Sequence, residues 1–233
     1  MAFNCRLPLS ARCVIEAVAM SRFVILLGGD MEPTPRLLAQ VAGARVIAAD
    51  GGMRHAKALG LEPELWTGDF DSTSEALAAE WEHIEREAFP AAKAKSDGEL
   101  ATDIALARGA SNLVLVGAFG GARADHPFFH LTLALKLAEQ GFPTLLTDGR
   151  QEGRPLLTGG GAFDYADGTV FSVLGFSKLT GLTITGARWP LDKITMEFGA
   201  SLTLSNEVAG DLYVELEAGR ALLVAHVHPA REF

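Results

Sequence analysis

Thr67 to Ser72 reads TGDFDS, which sets Asp69 and Asp71 one residue apart, behind Gly68 and around Phe70. Hard divalent cations take oxygen ligands, and Mg²⁺ usually keeps one or two carboxylates together with substrate phosphates. In an extended or tightly turned segment both carboxylates can face one opening while Phe70 enters a core. Gly68 would let a ligand approach the backbone closely. The plainer reading is that Asp71 and Ser72 cap the following helix. A lone D-x-D divides about evenly between the two.

Three further stretches favour the metal reading. Asp50-Gly51-Gly52 follows an apolar run, and glycines there let backbone N–H groups face a phosphate or a ribose, although a bare DGG is more often a turn. Thr102-Asp103 opens a helical run, where Asp103 is either part of a cap or a third metal or substrate carboxylate. Gly117 to His126 reads GAFGGARADH, a glycine-rich loop carrying Gly120, Gly121 and one arginine. Arg123 is the natural phosphate clamp, because guanidinium is always charged and binds in a bidentate fork. Asp125 and His126 either orient it or simply start a helix; His126 is not expected to ligate zinc.

The apolar runs supply the elements that hold these residues. Phe23–Leu27 reads as a buried strand ending at Gly28-Gly29-Asp30, and Arg45–Ala49 as a second. Leu65-Trp66 is a short third strand, Asn112–Val116 a fourth and Thr144–Thr147 the last of this half. Helices are expected over 35–42, 53–60, 73–87, 102–108 and 126–140. Gly60 stops the second of these. Ser72 or Thr73 caps the third, whose stripe is Leu77, Trp81 and Ile84. Strands that are apolar throughout, alternating with helices, belong to a largely parallel sheet covered on both faces. The polar residues then gather at the carboxyl ends of the strands, where open α/β sheets bind ligands.

After about residue 150 the character changes. Gln151–Phe163 is rich in Gly and Pro, and beyond it short runs such as TVFSVLGF, KITMEF, SLTLSNEV and ALLVAHVH are separated by turns. Alternation is plain in Ser201–Leu204 and Leu212–Leu216, which predicts an antiparallel sandwich or small barrel. The expected organisation is α/β then all-β: an extension over 1–21, a Rossmann-like parallel-sheet domain over 22–150, and an antiparallel β-sandwich over 155–233. Trp189 is either a stacking surface for an aromatic ligand or core. Phe128-Phe129 is expected in the core, and His226 and His228 on an exposed face.

The 233 residues carry a net charge of −9, which argues against nucleic acid as partner and fits ligands that arrive with cations, or equally plain solubility, the more common reason for such a balance. With 48% hydrophobic and 21% charged residues, the chain has ample material for a core. Cys5 and Cys13 are the only cysteines, so there is neither a disulfide framework nor a cysteine zinc site, and a reducing, cytoplasmic setting is expected. No run approaches the roughly 20 apolar residues that span a bilayer. Residues 1–19 read either as a presequence with Arg6, Ser10 and Arg12, or as an extension ahead of Met20; the second is expected.

The succession AADGG (48–52), GDFDS (68–72), TDIALA (102–107), GAFGGARADH (117–126) and SLTLSNE (201–207) resembles the thiamine pyrophosphokinase family. The resemblance covers roughly Arg22 to Val227 and is specific in combination. It implies an α/β domain followed by a β-sandwich, and a homodimer that transfers a diphosphoryl group from ATP to the hydroxyl of thiamine with Mg²⁺. By the same resemblance Asp69, Asp71 and Asp103 hold the metal, and Asp50, Gly51, Gly52 and Gly68 lie on the nucleotide side. Gly120, Gly121, Arg123, Asp125 and His126 line the site. Ser205 and Asn206 stand by a thiamine pocket formed between subunits.

Two departures stand out: Leu100 replaces a family acidic residue, with Asp97 as the candidate substitute, and Ala122 replaces the glycine before Arg123. The rival readings are a diphosphokinase acting on another alcohol, such as a hydroxymethylpterin, and a thiamine or nucleotide sensor without turnover. An aspartyl phosphatase is disfavoured, because its D-x-D stands on the first strand.

Overall fold

The computed structural model describes residues 21–71, 73–90 and 94–227. Ser72, Cys5, Cys13, His228 and nearly all of the expected 1–21 extension lie outside the described residues.

Six strands form the parallel half: β1 (Ser21–Leu26), β2 (Arg45–Ala49), β3 (Leu65–Gly68), β4 (Arg86–Ala88), β5 (Ala110–Val116) and β6 (Thr144–Thr147). Their order is β4-β3-β2-β1-β5-β6, every pair parallel. Successive side chains leave a strand on opposite faces. Phe23, Ile25, Ile47 and Leu115 therefore pack with Ala101, Ala105, Leu133 and Leu137, while Val24, Leu26, Val46 and Trp66 pack with Leu37, Val41 and Met53. Two covered faces are why these strands read as unbroken apolar runs.

The helices are α1 (Pro35–Val41), α2 (Ala56–Leu59), α3 (Glu75–Glu80), α4 (Asp97–Ala107) and α5 (Asp125–Glu139). Asp50–His55 is a 3-10 segment leading into α2, which Gly60 ends in the left-handed region at φ 63°. The DGG stretch is thus the start of a helical run.

Two helices correct the expectations. The one predicted over 73–87 is α3 alone, capped by Ser74 and ending at Trp81 with φ −115° and ψ 31°. Leu77 and Trp81 still pack against the core and Ile84 is buried in it, so the apolar stripe has its partners. The following residues leave the helix because β3 has an edge to fill: Trp66 N–H donates to Glu85 O, and Arg86–Ala88 pairs with β3. Conversely, α4 begins five residues before Thr102. Ser96 caps it, accepting from Glu99 N–H at 3.2 Å, so Thr102 and Asp103 sit inside the helix and do not open it.

The remaining strands are β7 (Gln151–Leu156), β8 (Gly159–Phe163), β9 (Val170–Gly175), β10 (Leu179–Ala187), β11 (Leu191–Met196), β12 (Asn206–Leu216) and β13 (Ala221–His226), all paired antiparallel. The Gly/Pro-rich stretch 151–163 is therefore mostly strand. Moreover, β7 pairs antiparallel with β6, so hydrogen bonding runs without a break from β4 to β11. Phe171, Val173, Leu182, Ile184, Val214, Leu216 and Leu223 form the core of this half.

Ser201–Leu204 alternates as a strand would, yet it is a turn. Thr203 is buried and donates to Val173 O, whereas Leu202 and Leu204 are 66% and 50% exposed. Phe128 also departs from expectation: it is 62% exposed, touching Phe176, while Phe129 packs on the core.

Candidate functional site

From β1 the chain runs outward through β2, β3 and β4, then returns to β5 on the other side. Loops that follow strands on either side of such a reversal diverge and leave a crevice at the carboxyl edge. A cavity of about 530 Å³ lies there, between the ends of β1, β2 and β5 and the first turns of α4 and α5.

Its floor is backbone. Gly29 N–H donates to Gly117 O at 3.1 Å, and a Cβ on Gly29 would stand 2.3 Å from that oxygen, so only glycine fits. Asp30 Oδ2 accepts from Gly121 N–H at 3.0 Å, tying the β1 loop to the β5 loop. Arg54 donates through Nη2 to the carbonyls of Gly28 and Gly29, and His55 Nε2 donates to Gly29 O at 2.9 Å. Burial holds the His55 imidazole below the ordinary histidine range, partly opposed by that bond.

Arg123 stands at the mouth, forked onto Asp125 through Nη2–Oδ2 at 2.5 Å and Nε–Oδ1 at 3.2 Å. The pair is well exposed. Each partner stabilises the other's charge: the Asp125 carboxyl lies below its ordinary range and the guanidinium above its own. Both expected alternatives thus hold together, since Asp125 orients Arg123 and is also the first residue of α5.

Seven expected residues line this cavity: Asp50, Gly51, Gly120, Gly121, Arg123, Asp125 and His126. Gly52 does not; it is buried where a Cβ would stand 2.1 Å from Leu26 O. Gly68 makes room for the chain: a Cβ there would stand 3.1 Å from Asp50 Cα. The turn after β3 thereby lies against the turn after β2, and Trp66 Nε1 donates to Asp50 O at 2.9 Å.

Asp69 and Asp71 lie just beyond that contact, outside the cavity lining. Phe70 between them is held at φ 61°, its ring edge-on to Trp66 at 5.2 Å between centroids. Asp69 Oδ1 accepts from Asp71 N–H at 3.2 Å, and neither carboxylate is ion-paired with a described residue. Asp103 is instead bound to Lys95 at 2.6 Å. Among the described residues no three His, Cys, Asp or Glu side chains are grouped as metal ligands.

Ser205 and Asn206 belong to a second hollow of about 350 Å³, with Trp189, Leu191, Leu202 and Leu204. Asn206 is buried and its amide is committed to main chain: Nδ2 donates to Trp189 O at 2.8 Å, and Oδ1 accepts from Trp189 N–H and Glu207 N–H.

Sequence reasoning missed the Gly28-Gly29 floor, Arg54, Ser96, Gly98 and His130. Gly28-Gly29 had a signal, since it follows the first strand as DGG follows the second. His130 lies one helical turn beyond His126, a spacing that carries a signal of its own once both residues are placed on one helix. Asp97 does face the cavity, as its candidacy for replacing the acidic residue at Leu100 required.

The architecture is a mixed sheet, parallel in its first half and antiparallel in its second, with a cleft at the carboxyl edge of the parallel half. Residues 39–146 match the family model described as thiamin pyrophosphokinase, catalytic domain, and 163–222 match that described as thiamin pyrophosphokinase, vitamin B1 binding domain. The chain is similar to a crystal structure of thiamin pyrophosphokinase from Geobacillus thermodenitrificans: 26% identity, TM-score 0.76, covering 90% of this chain and 99% of that one. Similar folds are the thiamine pyrophosphokinase from Bacillus subtilis (23%, TM-score 0.79, 89% and 99%) and the thiamin pyrophosphokinase from Candida albicans (14%, TM-score 0.72, 91% and 90%). Comparison with curated proteins returned no match. The chain belongs to the thiamin pyrophosphokinase family, and its function is that of a thiamine diphosphokinase.

Proposed function

We propose that this diphosphotransferase binds ATP in the cleft between the β1, β2 and β5 loops and passes its β,γ-diphosphoryl group to the hydroxyl of thiamine. The hydroxyl oxygen forms a bond to the β-phosphorus, the bond from that phosphorus to the α,β-bridging oxygen breaks, the hydroxyl proton is released, and AMP departs. The observation that carries this reading is the forked Arg123–Asp125 pair at the mouth of a glycine-floored cleft at the strand-order reversal. No covalent intermediate on the protein is needed, because positioning and charge neutralisation supply the catalysis.

The Asp69–Asp71 turn fits Mg²⁺. It offers two carboxylates without ion-pair partners among the described residues, from a turn pinned by Phe70. Two carboxylates leave positions open for phosphate oxygens. Bound there, Mg²⁺ would neutralise developing phosphate charge. Asp103, engaged by Lys95, is the third carboxylate of this set by family resemblance. Arg123 orients the phosphates, and Gly120, Gly121 and Gly51 admit them close to backbone.

Thiamine is assigned to the hollow at Trp189, Ser205 and Asn206, with Asn206 fixing the main chain of Trp189. Trp189, Phe198, Leu202 and Leu204 are all exposed apolar side chains in this part of the chain, which suits a homodimer whose subunits complete each other's sites. In this reading residues 22–150 are a Rossmann-like domain, 155–233 a β-sandwich, and the enzyme works in the cytoplasm. The test is AMP formation from ATP and Mg²⁺ with and without thiamine, and the mass of the ester. Thiamine-dependent AMP with thiamine diphosphate is expected; AMP formed only with a pterin alcohol would replace the substrate.

A further inference from the structure

Among the residues lining the cleft is a histidine that the reading above leaves unused. His130, on the second turn of α5, is 7% exposed and lines the cavity. Its hydrogen bond among the described residues joins Nδ1 to Ala118 O at 3.1 Å. A carbonyl oxygen only accepts, so Nδ1 carries the proton. Burial, reinforced by the neighbouring His126, holds the imidazole below the ordinary histidine range, opposed only by the Ala118 bond. The ring is neutral, and Nε2 is a bare acceptor.

Gly98 in the first turn of α4 stands beside that acceptor: a Cβ there would lie 3.8 Å from Nε2 and 2.8 Å from Leu27 Cδ2. Phe129 lies at 6.1 Å between ring centroids. An acceptor flanked by Gly98, which has no side chain, and by the Phe129 ring suits the edge of a planar heterocycle that presents one N–H donor, whereas phosphates suit the Arg123 end. Resting on the ATP reading above, we infer that His130 Nε2 accepts a hydrogen bond from the exocyclic amino group of adenine and makes the cleft selective for adenine over 6-oxopurine nucleotides. A 6-oxo group would turn a lone pair toward a lone pair, leaving two buried acceptors without a donor, which is costly.

The variant that isolates this role is His130→Asn. Its Nδ2–H₂ can keep the bond to Ala118 O, while the acceptor at the Nε2 position is gone. Equilibrium titration of the full chain with ATP and with ITP, both with Mg²⁺, reads the preference without turnover. Wild type is expected to bind ATP at least about tenfold more tightly than ITP. His130→Asn is expected to bring the two within about twofold, through weaker ATP binding, with thiamine affinity unchanged. A preference retained in His130→Asn, or absent from wild type, overturns the assignment. Should His130→Asn fail to fold, Gly98→Ala carries the test, because its methyl group screens Nε2; an undiminished preference there overturns it equally. Turnover is scored separately: wild type that forms no thiamine-dependent AMP overturns the diphosphokinase reading, while the ATP-to-ITP binding ratio still decides the role of His130.

Discussion

Phe70 adopts a backbone conformation that bulky residues avoid, and the turn holds it there by packing its ring on Trp66. The consequence is a pair of carboxylates presented from the end of β3 with no cation among the described residues to satisfy them. Asp71→Ala should leave the far-ultraviolet spectrum and melting temperature near wild type while lowering kcat about a thousandfold, the scale of losing several kcal/mol of charge stabilisation. Near-normal turnover in that variant would remove the metal assignment. Asn206→Ala works differently. It strips partners from the Trp189 main chain, so thiamine KM should rise about tenfold with kcat less affected, and about 1–3 kcal/mol of stability should go with the broken bonds. At this scale the sequence pointed to Arg123, which the structure places in the cleft lining, whereas Asp69 and Asp71 fall just outside that lining. It was silent where one atom's direction matters: nothing in the letters distinguishes the two nitrogens of His130.

Secondary structure was legible wherever periodicity and partner agreed. The boundaries of β2 and β6 coincide with their apolar runs, because each lies inside the sheet with neighbours on both sides. The length of α3 was not legible, because an unfilled edge on β3 claims Arg86–Ala88 from a stretch with helical character. Ser201–Leu204 failed for another reason: the buried threonine bonds main chain and the leucines face outward, so alternation carried the wrong sign of burial. The 3-10 segment after β2 shows what elements do for the site. Arg54 reaches from it to the Gly28 and Gly29 carbonyls, and a cleft floor so held is already shaped before a ligand arrives. Arg54→Ala should therefore raise ATP KM several-fold with a small change in melting temperature, and Arg54→Lys should recover part of that loss. Steady-state kinetics with ATP varied and thiamine saturating gives the answer.

Across the whole molecule, one buried carboxylate fastens the parallel half to the antiparallel half. Glu152 on β7 is fully buried, accepting from Arg36 Nε of α1 at 2.5 Å, Gln40 Nε2 at 2.6 Å and the Tyr165 hydroxyl at 3.2 Å. Burial alone would raise its pKa, but the bonds from Arg36 and Gln40 and the charges of Arg36 and Arg154 outweigh it and hold the carboxyl below its ordinary range. A depressed folded value means stability that is complete above the unfolded carboxylate value, about 4.3, and lost as pH falls through the folded one. Glu152→Gln should lower the melting temperature at pH 7, and the gap from wild type should narrow as melts are taken below about pH 4. A gap that is constant with pH would show that the charge is not what holds the two elements.

The pairing of β6 with β7 bears on any attempt to divide the chain. A fragment ending near Arg150 would leave the outer hydrogen-bonding groups of β6 bare, and it would also lose Leu222, which lies in the core shared with Phe23 and Leu133. Such an open edge invites another copy to add its own strand. The catalytic half, expressed alone, should therefore be recovered as aggregates, and shuffling it onto a foreign partner should succeed only where the graft supplies a replacement for β7.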